Sequence, residues 1–251
     1  MTPWEVVAAL VAGVAAGAIN AVVGSGSLIT FPTLLALGYP PIVANVSNNV
    51  GLVAGGVTGV IGYRDELKGQ RDRLVRLGAG SVSGAVSGGL LLLVLPAEAF
   101  HVIVPALIAI ACVLVVLQPR LNAWLADRRE TARPHGGFWL WLGIFVAGVY
   151  GGYFGAAQGV VLIALLGIFL DDHLQRVNAA KNMLSLLVNS AAAVLFALFA
   201  PVDWWAVLWI SLGSTLGGFL GAGVGRRLSP RLLRGVIVVV GVVAIIKLVY
   251  G

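Results

Sequence analysis

The sequence is short of nearly everything a water-soluble domain relies on. Only 10% of its 251 residues are charged and 59% are apolar, whereas a typical soluble domain carries roughly 25% charge. A single cysteine, Cys112, lies in the run AIACVLVVL, so no disulfide framework can form within the chain. There are three histidines and no CxxC or HExxH spacing, and Asp171-Asp172-His173 offers one imidazole only, so no metal or other cofactor is expected. The absence of a GxxxxGK[ST] loop removes ATP hydrolysis. The Gly-Ser-Gly-Ser run at 24–27 has no histidine deep within an apolar stretch to act as its base, which argues against a serine nucleophile and against an enzyme. A mean hydropathy of +1.00 excludes disorder. The glycines have no triplet period, which excludes collagen, and the apolar runs are continuous, which excludes an outer-membrane barrel. A polytopic, all-α integral membrane protein remains.

Apolar stretches run over 5–23, 28–38, 42–62, 77–95, 99–118, 138–154, 159–170, 178–200, 204–225 and 235–250. About eight are long enough for full spans at 1.5 Å per residue. Residues 28–38 and 159–170 would reach only about 16–18 Å. Each follows a longer stretch across a glycine-rich break, so they read as broken or re-entrant half-helices. Of 16 Lys and Arg residues, five fall in 63–76, four in 119–134 and four in 226–234. These short segments, pressed between apolar runs, orient the chain in a bilayer and are not a nucleic-acid patch. With the basic loops cytoplasmic, both termini lie outside and Lys247 can snorkel to the outer surface. No base precedes the first apolar stretch, so a cleavable signal peptide is not expected. Trp4, Trp139, Trp141, Trp204 and Trp205 at stretch ends read as interfacial anchors.

The two halves of the chain match. Val14–Asn49 aligns with Phe145–Asn182: Gly17 pairs with Gly148, Gly24 with Gly155, Asn45 with Asn178, Asn48 with Lys181 and Asn49 with Asn182. Five segments per half, an odd number, place the second copy upside down in the membrane. The expected organisation is a first repeat over 1–118, a cytoplasmic linker over 119–136 and an inverted second repeat over 137–251. Interrupted helices at matching positions mark many secondary transporters, with sites near the midplane.

The run from Gly17 to Leu52, GAINAVVGSGSLITFPTLLALGYPPIVANVSNNVGL, resembles the signature of the sulfite exporter TauE/SafE family of bacterial membrane permeases. The glycine spacing of the second half and the stretch from Asn178 to Asn182 fit the same pattern. Ser25 stands where the family often has a second glycine. The resemblance implies export or uptake of small organosulfur or other anions across the inner membrane.

Candidate substrate contacts follow from the residues themselves. Gly24, Ser25, Gly26 and Ser27 permit irregular backbone whose free amides, at the positive end of a half-helix, suit an anion, and Ser25, Ser27 and Thr30 add hydroxyls. Gly155 and Gln158 bracket the mirror break. Asn178, Asn182, Ser185 and Asn189 lie on one helix face with Lys181 beside them, and Asn45, Asn48 and Asn49 form the equivalent stripe. Tight packing through small residues and interhelical hydrogen bonding are the alternative explanations of the breaks and stripes. With a helix starting near Leu174, Lys181 lies about 10 Å into it, positioned either to meet an anion or to snorkel to the headgroups, and Arg176 reads as a surface anchor. All ten acids lie in connections or at stretch ends, leaving none inside for a proton relay. A secondary transporter of a small anion is the leading expectation, with an anion channel or a non-transporting membrane scaffold as the alternatives.

Overall fold

The computed structural model describes residues 1–126, 137–170, 172–223 and 230–250. Residues 127–136 of the expected linker, with Asp127 and Glu130, lie outside the described residues, as do Asp171 and residues 224–229, which hold Arg226 and Arg227 of the third basic segment. Among the described residues all regular structure is helical: α1 (Pro3–Val22), α2 (Ser27–Ala36), α3 (Pro41–Gly62), α4 (Arg71–Val94), α5 (Ala97–Ala126), α6 (Gly137–Tyr153), α7 (Gln158–Phe169), α8 (Leu174–Phe199), α9 (Trp204–Gly223) and α10 (Pro230–Tyr250). Helix α5 continues to Ala126, beyond the apolar stretch that ends at 118.

Local chemistry sets the helix ends. Thr2 and Glu5 form a reciprocal capping box in front of Pro3, which opens α1. At the other end of α1, the amides of Val23 and Gly24 both donate to Ile19 O, at 2.7 and 3.0 Å. Gly24 has a φ of +83°, a left-handed conformation that glycine adopts without steric cost. Helix α6 ends in the same way: Phe154 and Gly155 donate to Tyr150 O at 2.9 and 3.0 Å, with Gly155 at +73°. The short helices that follow, α2 with 10 residues and α7 with 12, span about 15 and 18 Å.

The extensive helix pairings are unchanged when every helix is replaced by the one five places along. Thus α1 packs on α9 as α6 packs on α4, α9 packs on α3 as α4 packs on α8, and α2 meets α10 as α7 meets α5, while the α3–α8 and α5–α10 pairs map onto themselves. The fourth helix of each half therefore lies against the first and third helices of the other half. Glycines make these crossings possible. A methyl group added at Gly13 would lie 2.9 Å from Ile210 O, and one at Gly148 would lie 2.7 Å from Ser81 O. Gly17, Gly84, Gly88, Gly152, Gly213 and Gly217 would likewise strike backbone across the seams. Backbone-to-backbone approach of this kind is how helices associate where burial of apolar surface cannot drive them together.

By length and composition, five helices among the described residues can cross a membrane: α1, α4, Ala97–Arg120 of α5, α8 and α9. The sequence-based expectation was about eight. Helix α3 has 22 residues but carries the buried Asn45, Ser47, Asn48 and Asn49, α6 has 17, and of α10 only Ile237–Leu248 falls within the described side chains. Polar residues that the fold turns inward lower a helix's average hydropathy without being exposed to lipid. Many large apolar side chains face outward, Val94 at 81% and Val102 at 76% exposure among them, as suits a surface in contact with lipid. The chain is thus a multi-pass membrane protein. Trp4, Trp139, Trp204 and Trp205 are exposed, whereas Trp141 stacks on Phe145 and packs against Gly80 of α4.

Candidate functional site

The two chain breaks meet. A Cβ added at Gly24 would collide with Gly159 Cα, and the Gly159 amide donates to Gly24 O at 3.0 Å. In space Gly24 meets Gly159, one helical turn past its sequence equivalent Gly155, which packs against Gly151 of its own half. The expected free amides at the start of α2 are largely taken. The Gly26 amide donates to Asn20 Oδ1 at 2.8 Å, Leu28 to Ser25 O at 3.2 Å, and Ile29 and Thr30 to Gly26 O at 2.9 and 3.4 Å. At the second break, Gln158 turns back instead of facing the gap: its Nε2 donates to Ala147 O at 3.2 Å and its amide carbon lies over Gly151. Most of the polar groups at these turns are thus taken locally, with the Ser25 hydroxyl an exception.

Those groups converge on the end of α1. Lys181 Nζ donates to Asn20 O at 2.9 Å and to Ala21 O at 3.4 Å, and the side-chain amides of Asn178 and Asn182 each donate to Ala21 O at 3.2 Å. Three donors thus share a carbonyl oxygen that has two lone pairs. Lys181 has zero exposure and is the only charged side chain among the fully buried described residues, so the snorkelling alternative does not hold. Its stem lies across Gly159, and no ion pair to it occurs among the described residues. The mirror contact is simpler: Asn45 Nδ2 donates to Tyr153 O at 3.1 Å, at the end of α6. Each half's asparagine stripe therefore holds the broken helix of the other half. Asn48, at the position equivalent to Lys181, stays within its own half and accepts from Thr30 Oγ1.

The sequence pattern of the family described as "Sulfite exporter TauE/SafE" matches residues 9–248. The chain belongs to this family. Among its relatives, the "Probable membrane transporter protein YfcA" of Escherichia coli (strain K12) is 30% identical over 240 residues, covering 94% of this chain and 86% of that protein. A "Probable membrane transporter protein" of Haemophilus influenzae is 27% identical, covering 95% and 92%. A "Probable membrane transporter protein ORF9" of Sinorhizobium sp is 25% identical, covering 95% and 90%. No solved structure matches the chain.

In this TauE/SafE chain, several buried oxygens around the crossing have no hydrogen-bond partner: Ser25 Oγ, Asn49 Oδ1, Asn178 Oδ1 and Ser185 Oγ. All four belong to residues singled out from the sequence. A buried polar atom left unpaired costs about 1–3 kcal/mol, so such a group calls for water or a ligand. Asn49 Nδ2 reaches Asn189 Oδ1 only at 3.5 Å, and Ser27 is half-buried. Two apolar grooves, about 480 Å³ beside α5, α6 and α7 and about 640 Å³ between α4 and α8, contain none of the candidate residues. Their walls are almost wholly apolar, with Arg71 at one groove and Trp139 and Tyr150 at the other as the polar-bearing exceptions, and suit lipid chains.

Asn20 was missed from the sequence. It is a polar residue in the apolar stretch of α1, and its side chain caps Gly26 while its carbonyl receives Lys181. Its position four residues before Gly24 was the available signal. Lys247 reaches Leu35 O at the end of α2, completing a helix C-terminus at the protein's edge. The TauE/SafE contacts also differ in redundancy. Ala21 O retains two donors in Asn178→Ala, whereas Asn45→Ala removes the side-chain donor on Tyr153 O. The expected loss is about 1–3 kcal/mol for Asn45→Ala and less for Asn178→Ala. Thermal denaturation of the detergent-solubilised variants should rank them in that order.

At the basic end, Asp172 accepts from Arg73 Nη1 at 2.8 Å and from Arg176 Nε at 2.9 Å. Arg176 is therefore a partner in a lattice and not a plain surface anchor, and the Asp172 carboxylate is engaged by two guanidinium groups. Burial pushes this carboxyl up, but the Arg73 hydrogen bond, the His173 amide and the nearby arginine charges outweigh it and hold it below its usual value.

Proposed function

We propose that the chain is a secondary transporter that carries a small anion, of the sulfite or sulfonate class, across the bacterial inner membrane. The observation that supports this most directly is the convergence of Lys181, Asn178 and Asn182 on Ala21 O, with unpartnered Ser25 and Ser185 hydroxyls among the same candidate residues. Three side-chain donors crowd the single oxygen of Ala21, and the Ser25 and Ser185 hydroxyls are free to donate. A negatively charged oxygen binds an ammonium or amide donor more strongly than a neutral carbonyl does, by about 1 kcal/mol or more per bond. An arriving oxyanion therefore draws the three side chains away from the end of α1.

That exchange ties occupancy to movement. Without substrate, α8 of the second half grips α1 of the first; with substrate, the grip loosens at the Gly24–Gly159 crossing. The five-place shift that preserves the helix pairings, and the matched breaks, support two inverted repeats that rock about this crossing. The basic loops then face the cytoplasm and both termini the outside. Among the described residues no Asp or Glu is fully buried, so the substrate gradient is proposed to drive flux without a carboxylate relay.

Purified protein in liposomes tests this reading with radiolabelled sulfite. Saturable uptake that accelerates when unlabelled sulfite is loaded on the far side is expected. Uptake that is linear with concentration and shows no trans-stimulation indicates a channel instead, and flux equal to that of empty liposomes ends the transport reading.

A further inference from the structure

The two ends of the bundle are fastened differently. At the end bearing the 63–76 basic loop, the connection between α3 and α4 is bonded to the start of α8 by a charged lattice. Arg73 bridges Asp172 and Gln70 Oε1, at 2.8 and 3.0 Å. Arg176 holds Asp172 through Nε and Lys68 O through Nη1, at 2.9 and 3.1 Å. The buried side chain of Gln70 donates to Arg176 O at 3.1 Å and to Glu66 O at 2.8 Å. Lys68, Gln70 and Arg73 belong to the first half, and Asp172 and Arg176 to the second. The lattice thus spans the seam that must part if the halves move.

The opposite end has the equivalent seam, between α3 and the connection from α8 to α9. There the Asp203 amide donates to Ser47 Oγ at 2.9 Å, while the Asp203 carboxylate is spent on capping α9 through the Ala206 amide at 2.8 Å. Among the described residues no ion pair joins the two halves at this end. Hydrogen bonds between charged partners are about twice as strong as neutral ones. Arg73 and Asp172 are also largely shielded, with side-chain exposures of 14% and 11%, so solvent screens the pair less than it would an open surface pair.

We propose that the Asp172 lattice is the gate latch of the basic end: intact, it closes that end, and its rupture is the step that opens the central site to that side. At the α3 seam the neutral Ser47–Asp203 contact is the weaker fastening, with Lys247 bonded to Leu35 O on the separate α10–α2 pair, so the opposite end opens first. This rests on the alternating-access reading above and adds the residues that control one of its two doors.

Side-specific labelling separates the two ideas because it needs no substrate. In a Cys112→Ala background with Ser185→Cys as reporter, a membrane-impermeant maleimide is applied to inside-out and right-side-out vesicles. The parent should react faster from the face opposite the basic loops. Asp172→Asn and Arg73→Gln should each raise labelling from the basic face by about fivefold or more, the effect of roughly 1 kcal/mol, without raising it from the other face. The double variant should label no faster than the faster single one, because both substitutions break the same lattice. Unchanged labelling from the basic face in both single variants overturns the latch, as does an equal rise from both faces, which signals general loosening. If labelling responds as described but wild-type liposomes show no saturable flux, the transport reading fails and the latch stands.

Discussion

Lys181→Met is expected to lower saturable anion uptake by about 10- to 100-fold while the protein still inserts and elutes as the wild type does. Methionine keeps most of the apolar stem that lies across Gly159 and deletes only the ammonium. What is lost is one charge-assisted contact to the substrate, about 1.5–3 kcal/mol, which corresponds to roughly one to two decades in flux at low substrate. The end of α1 is not left bare, because Asn178 and Asn182 continue to donate to Ala21 O. Lys181→Ala should abolish uptake as well, and the methionine variant separates loss of charge from loss of packing. Concentration-dependent uptake by the two variants in liposomes is the measurement. Wild-type kinetics in Lys181→Met would remove the lysine from the site.

The second large effect concerns the crossing and can be resolved into its causes with three glycines. Gly38 has a φ of +90° and no atom near a prospective Cβ, so Gly38→Ala introduces backbone strain alone, about 1 kcal/mol. Gly159 is helical, but its added methyl would lie 2.9 Å from Gly24 O and strike Gly24 Cα, so Gly159→Ala introduces collision alone. Gly24→Ala suffers both, at a φ of +83° and against Gly159 backbone that has no side-chain rotamer to yield. Overpacking typically costs about 1–3 kcal/mol. The temperature at which half of each detergent-solubilised variant remains monodisperse should therefore fall least for Gly38→Ala and most for Gly24→Ala. Equal losses at Gly38 and Gly24 would mean that the crossing is not a tight contact.

Much of the candidate site was legible because its signals are local. Gly24 and Gly155 stand out as breaks since each is followed by an apolar run too short to span a bilayer. Asn178, Asn182 and Lys181 fall on one helix face by spacing alone, and their inward direction follows from the cost of exposing amides to lipid. What these groups meet was not legible. The free backbone donor expected at Gly26 is capped by Asn20, and Gln158 folds back on Ala147, because a side chain of the right length six or eleven residues away competes for the same groups. In space Gly24 meets Gly159 and not its sequence equivalent Gly155, since the turn after α1 packs on the first turn of α7.

The chain alone determined a helical membrane protein, its basic loops, its two interrupted segments and the polar stripes beside them. Each of these is written in periodicity, run length or glycine placement over a few turns. Only tertiary packing decided that α4 and α9 lie across the halves, that Asn45 and Asn178 hold the opposite half's broken helix, and that Arg73 meets Asp172 ninety-nine residues away. Helices that are apolar nearly all round carry little information about which neighbour they will face. That choice is made where glycines let two backbones touch and where a buried polar group finds its one available partner.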